Sequence, residues 1–327
     1  MKIFVSCVTI VFLLLTVVLA AGCSNEAVVP DTAEESDEPA LPTPLEQESM
    51  PVESDWSVVF NSEISHPVNI VGFLNAEFGI TVGYGGEVHQ TKDAGQTWPE
   101  GENSSMCLFC LDIVDENTAW AGGNSNNVRV TNDGGGTWNQ VSDINLLQGH
   151  SNIAFIDDTV GWIASLLKFA STNDGGQTWT EMALPEGASS IAAISLRTAE
   201  DGYLLSHDGL LYITADGGAT WSERDLGLAS YGIINMQKQP GLNKINLALA
   251  DISFTDENNG TVVFIGLLPG EGNRTWCLTT NDGGVSWKTQ LLPEIDMTPA
   301  KVFLSGDGMY LTLSDLSNQT VVLKRIE

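Results

Sequence analysis

The stretch Thr172-Asn173-Asp174-Gly175-Gly176-Gln177-Thr178-Trp179 decides the fold, because the chain repeats it. Four further copies run from Thr91 to Trp98, Thr131 to Trp138, Thr214 to Trp221 and Thr280 to Trp287, with the pattern T-x-D-G/A-G-x-T/S-W. Successive tryptophans are 40, 41, 42 and 66 residues apart. Each motif reads as a hairpin turn. Glycine supplies positive φ without steric cost, and the Asp carboxylate accepts hydrogen bonds from the amides of its own turn. The Thr or Ser hydroxyl serves local backbone groups, and the Trp buries a large ring while its N–H seeks an acceptor. Ala94 stands where the other copies have Gly, which predicts a strained first turn.

Most motifs have a preamble. Ala154-Phe155-Ile156-Asp157-Asp158-Thr159-Val160-Gly161-Trp162 shows the type, with counterparts at Leu111–Trp120 and Ile252–Gly260. An apolar strand enters a polar turn, a second strand follows, a third enters the motif, and a fourth begins at Trp. Four strands in about 40 residues is the blade of a β-propeller. Asp55-Trp56-Ser57-Val58-Val59-Phe60 resembles a motif's end plus its following strand, and Trp56 lies 42 residues before Trp98, in register. The segment from Ala300 to Ile326 offers three strands and no motif. We therefore expect an all-β, six-bladed propeller in which the strand at Trp56 completes the blade begun at Lys301. Seven blades is the alternative, with a degenerate blade hidden in the 66-residue interval. That interval holds about 25 extra residues, short for a blade.

Composition narrows the function. The chain has 327 residues, 42 acidic against 13 basic side chains and a net charge of −29. Such a surface repels phosphate backbones, so no nucleic-acid partner is expected. Lys2 precedes an apolar run from Ile3 to Leu19, the form of a signal peptide. Leu19-Ala20-Ala21-Gly22-Cys23 resembles a bacterial lipobox, although Ala20 stands where Leu is usual; an ordinary cleavage site and an uncleaved anchor are the alternatives. The expected organisation is a lipoprotein signal peptide over 1–22, a disordered acidic, Pro-rich tether over 23–54, and the propeller over 55–327. Cys23 would carry the acyl chains that hold the protein to a bacterial membrane, on its extracellular or periplasmic side. The tether has no Lys or Arg and too few apolar residues to offset ordering entropy. Its reach is about 30 Å.

Cys107, Cys110 and Cys277 remain in the mature domain. The CxxC spacing of the first two falls in an apolar run read as a strand, where positions i and i+3 face opposite ways. They are read as core cysteines that do not bridge each other. No second CxxC completes a zinc site, and neither metal nor cofactor is expected.

The motifs resemble the Asp boxes of sialidases, sortilin-type receptors and the photosystem II stability and assembly factors. The whole repeat, with its Asp-Glu-Asn turn and its Gly-Trp or Ala-Trp pair, is most similar to the last group, over roughly residues 56–327. This resemblance implies an Asp-box propeller with a protein or assembly partner. Asp93 and Trp98, Asp133 and Trp138, Asp174 and Trp179, Asp216 and Trp221, and Asp282 and Trp287 are read as structural, since an active site is needed once and a hairpin in every blade. A sialidase needs an arginine triad, a Tyr–Glu nucleophile pair and a Phe/Tyr-Arg-Ile-Pro motif. The mature domain has only Arg129, Arg197, Arg224, Arg274 and Arg325 and lacks that motif. No catalytic residue is assigned.

Box turns occupy one side of such a ring, so a binding site is expected on the other. Candidates there are His66, Tyr84, His150, Lys168, His207, Tyr231 and Arg274, with two long loops, Ser230–Leu249 and Gly266–Arg274. The leading expectation is a non-catalytic, monomeric lipoprotein of the cell envelope that binds a protein partner through this face. A carbohydrate-binding protein or sialidase-like glycoside hydrolase is the alternative, and a purely structural surface protein a third reading.

Overall fold

Short apolar runs, each followed by a turn that satisfies its own backbone, fold locally as antiparallel meanders. In the computed structural model the described residues are 55–326 apart from 67, 102, 104–106, 124–126, 142–151, 189, 229–246, 248 and 269–271. They contain no α-helix. They lie in the unit Val52–Glu327; the unit Met1–Pro51, with Cys23 and most of the expected tether, lies outside them.

Six small sheets form the fold. Strand β1 (Trp56–Glu63) comes first in the chain but belongs to the last sheet. The first blade is β2 (Ile70–Phe73), β3 (Gly79–Val82) and β4 (Val88–Thr91). The second is β5 (Leu108–Ile113), β6 (Ala119–Gly123), β7 (Val128–Thr131) and β8 (Asn139–Gln140); the third is β9 (Asn152–Phe155), β10 (Gly161–Ala164), β11 (Phe169–Thr172) and β12 (Thr180–Met182). The fourth holds β13 (Ile191–Leu196), β14 (Gly202–Ser206), β15 (Leu210–Thr214) and β16 (Ser222–Asp225). The fifth holds β17 (Ala250–Phe254), β18 (Gly260–Leu268), β19 (Gly272–Thr280) and β20 (Lys288–Leu291). The sixth runs β21 (Lys301–Leu304), β22 (Tyr310–Ser314), β23 (Gln319–Arg325), then β1. Inner strands touch in sequence, β2 to β5, β9, β13, β17, β21 and back to β2, so the ring closes on six blades. The seventh, degenerate blade of the alternative does not occur among these sheets.

The seam is the expected one. β1 pairs antiparallel with β23, Trp56 opposite Arg325, with a bulge between Val58 and Phe60. Three expectations need correction. The first blade has three strands, because Pro99 follows Trp98 directly and has no N–H to give a ladder; only a His89–Glu100 bridge remains. The described residues of the segment Gly266–Arg274 are strand, not loop. β18 and β19 pair from Gly260–Thr280 out to Leu268–Gly272, and Arg274 sits opposite Gly266 in this ladder. The box indoles are also less buried than expected: Trp138 is fully buried, while Trp98, Trp179, Trp221 and Trp287 are half-buried.

The boxes behave as local chemistry dictates. In the third, Thr172 Oγ1 donates to Asp174 Oδ1 (2.9 Å) and accepts from Gly176 N–H (2.9 Å). Asp174 Oδ1 accepts Thr178 N–H (2.9 Å), and Oδ2 accepts the Thr178 hydroxyl (2.6 Å). The other four boxes repeat this set. Hydroxyl and amide donors hold these carboxylates below the usual range, Asp282 at about 2. Ala94 adopts φ 59°, the left-handed conformation its glycine counterparts take without cost. Each box is fastened to the turn between the first two strands of its own blade: Ala94, Gly134, Gly175, Gly217 and Gly283 donate to the carbonyls of Glu77, Asn117, Thr159, Glu200 and Asn258 at 2.7–3.1 Å. Box turns and these first turns therefore share one face.

Adjacent blades interlock through aromatic stacks and polar latches. Trp120 stacks on Phe155 and Tyr203 on Phe254, each with centroids 3.6 Å apart. Gly202 is obligatory, since a Cβ there would lie 2.0 Å from the Trp162 ring of the preceding blade. Asp112 Oδ2 accepts Phe155 N–H (2.6 Å) across the second and third blades. Asp251 Oδ2 accepts Leu304 N–H (2.7 Å) across the fifth and sixth. Burial pushes these carboxyls up, Asp112 to about 6 and Asp251 to about 7, the Asp112 charge adding to the rise at Asp251.

Candidate functional site: the face opposite the boxes

Strand alternation sends the turns between second and third strands, and the inter-blade connections, to the face away from the boxes. Hydrogen bonds stitch these segments together. Ile191 N–H donates to Leu166 O (2.9 Å), His207 N–H to Ser190 O (3.1 Å), Leu247 N–H to His207 O (2.7 Å) and Ile265 N–H to Leu249 O (3.0 Å). Lys168 and His207 thus lie on one continuous strip across the third, fourth and fifth blades. Arg274 stands in the same fifth-blade hairpin, opposite Gly266. Leu166 and Leu167 lie 53% and 59% exposed in the turn that carries Lys168. The Lys168 ammonium pairs with Glu181 at 3.1 Å. His207 Nδ1 meets Ser190 Oγ at 3.1 Å, and burial lowers its pKa, so a neutral ring is favoured.

A second cluster lies on the first two blades. Tyr84 sits in the turn between β3 and β4 and meets Phe109 edge-on at 6.4 Å, while Leu108 N–H donates to Gly83 O (3.3 Å). His66 lies in the connection from β1 to β2. Its Nε2 is 2.9 Å from Thr81 Oγ1, and its ring stacks on His89 at 3.5 Å. Burial first, and the His89 charge second, lower its pKa to about 4. His150, Tyr231 and most of Ser230–Leu249 lie outside the described residues.

The five arginines among the described residues lie on four different blades. Arg129 donates to Trp138 O and Asn127 Oδ1 within the second blade, Arg197 pairs with Asp201 in the fourth, and Arg224 donates to Glu223 O on β16. Arg274 lies on β19 and Arg325 at the end of β23. Cys107 is disulfide-bonded, whereas Cys110 is free, so the CxxC pair does not bridge itself. Burial pushes the Cys110 and Cys277 thiols up to about 12, which leaves them unreactive at neutral pH. Among the described residues no group of three His, Cys, Asp or Glu could hold a metal ion. Asp112 and Asp251 escaped the sequence reading; the available signal was an acid inside an apolar strand.

Ring, boxes and stitched loop face define an Asp-box β-propeller. A family model described as photosynthesis system II assembly factor YCF48 matches residues 142–232, the third and fourth blades, and the chain is similar to that group. Among solved structures, YCF48 bound to a D1 peptide aligns with TM-score 0.50 and 14% identity over 84% of this chain and 98% of that one. The U3-55K structure aligns with TM-score 0.55 and 10% identity over 84% and 99%. Streptogramin B lyase aligns with TM-score 0.51 and 12% identity over 82% and 97%. At these identities the likeness is one of fold. No curated protein sequence matches the chain.

Proposed function

We propose that this protein is a non-catalytic, exported lipoprotein of the cell envelope whose propeller binds a protein partner through the face opposite its boxes. The stitched strip with its exposed Leu166 and Leu167 carries the reading, since apolar side chains on a rigid turn are suited to a protein surface. The peptide bound by the YCF48 ring is consistent with it. The dispersed arginines favour a binding role over glycosidase chemistry. Export and lipid anchoring rest on Lys2, the apolar run and Cys23, and the acidic composition keeps the partner a protein rather than a nucleic acid.

Deleting residues 230–246, which precede the strip residues Leu247 and Leu249 in the chain, should abolish partner capture from native envelopes and leave the melting temperature nearly unchanged. An unaltered set of captured partners contradicts the assignment of this face. Turnover of a fluorogenic glycoside panel by the wild-type chain contradicts the non-catalytic reading.

A further inference from the structure

Each of the first five blades carries a box. The sixth does not, because its third and fourth strands, β23 and β1, come from opposite ends of the sequence. In the other blades the second box glycine leans on the blade before it. A Cβ at Gly176 would touch Val141, at Gly218 Met182, at Gly284 Leu211, and at Gly95 Phe60 of β1. At the seam the corresponding place is a cleft between Trp287 and Lys288 of the fifth blade and Asp307 and Arg325 of the sixth. Asp307 is committed to its own turn, since its carboxylate accepts from the Ser305 hydroxyl (2.5 Å) and the Met309 amide (2.9 Å). The Arg325 guanidinium, half-buried, makes no ion pair among the described residues.

The chain itself leads into this cleft at Asp55. The Asp55 N–H donates to Gln290 Oε1 (3.3 Å), and its carboxylate accepts from Gln290 Nε2 (2.5 Å) and Lys288 Nζ (3.0 Å). Its carbonyl accepts the Ile326 N–H (2.5 Å), which prolongs the β1–β23 pairing by one residue. Gln290 first, then Lys288 and more weakly the Arg325 charge hold the Asp55 carboxyl below the usual range, so the guanidinium faces this side. Counted back from Trp56, Val52 and Glu53 fall at the positions of the two box glycines, and Pro51 at that of the box Asp. Box glycines adopt positive φ, which is costly for Val and Glu, so this segment is extended chain rather than a sixth box. Residues from Val52 onward belong to the same compact unit as the ring. Residues 24–54 contain acids but no Lys or Arg. Two residues of extended chain span about 7 Å, which brings Glu53 within reach of Arg325, the neighbour of Ile326.

We propose that this cleft is the docking site of the chain's own residues Val52–Ser54, with the Glu53 carboxylate on the Arg325 guanidinium. The last residues of the tether then stand in for the sixth box and fasten the first strand in the sequence across the seam. The chain leaves the ring on the box face, clear of the loop strip. The inference concerns closure of the ring by its own chain and does not rest on the partner-binding reading.

The test is measurement of backbone NMR order parameters in the full chain. Val52, Glu53 and Ser54 should show values of about 0.8, close to a rigid backbone, while Glu46 and Glu48 stay below about 0.6. In Glu53→Gln, and separately in Arg325→Gln, the values at Val52 and Glu53 should fall below about 0.6, with those of β22 and β23 unchanged. The Glu53 variant alters no residue of the folded ring, so it reads the contact even if the Arg325 variant is unstable. Wild-type values at Val52 and Glu53 as low as those at Glu46 overturn the proposal, as does undiminished order there in Glu53→Gln.

Discussion

Trp56→Ala is expected to destabilise the protein by about 3–5 kcal/mol, the range for truncating a buried tryptophan. The melting temperature should fall by on the order of 10 °C. Trp56 is 3% exposed and packs with Val263, Leu311, Val321 and Leu323. Val263 and Cys277 of that cluster belong to the fifth blade, so Trp56 ties the first strand in the sequence to the fifth blade as well as the sixth. The residue is the anchor of a strand that completes the last blade, so its loss frees an edge of the ring as well as leaving a cavity. Val59→Ala serves as comparison. That side chain is 49% exposed at the β1 bulge, and its loss should move the transition little. A shift at Trp56 no larger than at Val59 would contradict closure through β1.

The second large effect is on pH. Asp112 and Asp251, at about 6 and about 7 in the folded protein, lie above the ordinary aspartate value of 3.8, so the folded protein holds these protons after the unfolded chain has released them. Their stabilisation is complete below about pH 4 and is lost as pH rises through 6 to 7. Each carboxyl contributes on the order of 3 kcal/mol to the change, at 1.36 kcal/mol per pH unit. The box carboxylates act oppositely. Their depressed values give stability that is present above about pH 4 and lost on further acidification. Maximum stability is therefore expected between about pH 4 and 6. Thermal unfolding should show a fall from pH 5 to 8 in the wild type and a nearly flat response in the Asp112→Asn, Asp251→Asn double variant. A wild-type melting temperature that rises over this interval would sink the account of the latches.

What could be read from the sequence was what is encoded within a few residues. The box is such a unit: Thr172, Asp174 and Thr178 close their own turn, and constant tryptophan spacing carries the blade period. Trp56 belonged to that register although it opens the fold, which made the seam legible. The rest depended on partners far along the chain. Asp112 and Asp251 find their amides in the next blade, and the one local signal, an acid inside an apolar strand, does not say where that partner lies. The extended β18–β19 hairpin was read as a loop because Pro269, Gly270, Gly272 and Asn273 dominate its middle, while pairing from Thr275 and Ile265 inward fixes the strands. Pro99 did carry a local signal against a fourth strand, and periodicity obscured it. On the face opposite the boxes, Lys168 and His207 fall in turns that the repeat spacing marks. The backbone bonds that join them through Ser190 and Ile191 are tertiary.

The central claim is that the face opposite the boxes meets a protein partner. Site-specific photo-cross-linking in intact envelopes tests it most directly, with a benzophenone side chain placed at Leu167, at Lys168, or at Glu223 on the exposed outer strand β16. The account predicts one common protein adduct from Leu167 and Lys168 and none from Glu223. Adducts of equal yield from Glu223, or none from the two loop positions, would contradict it.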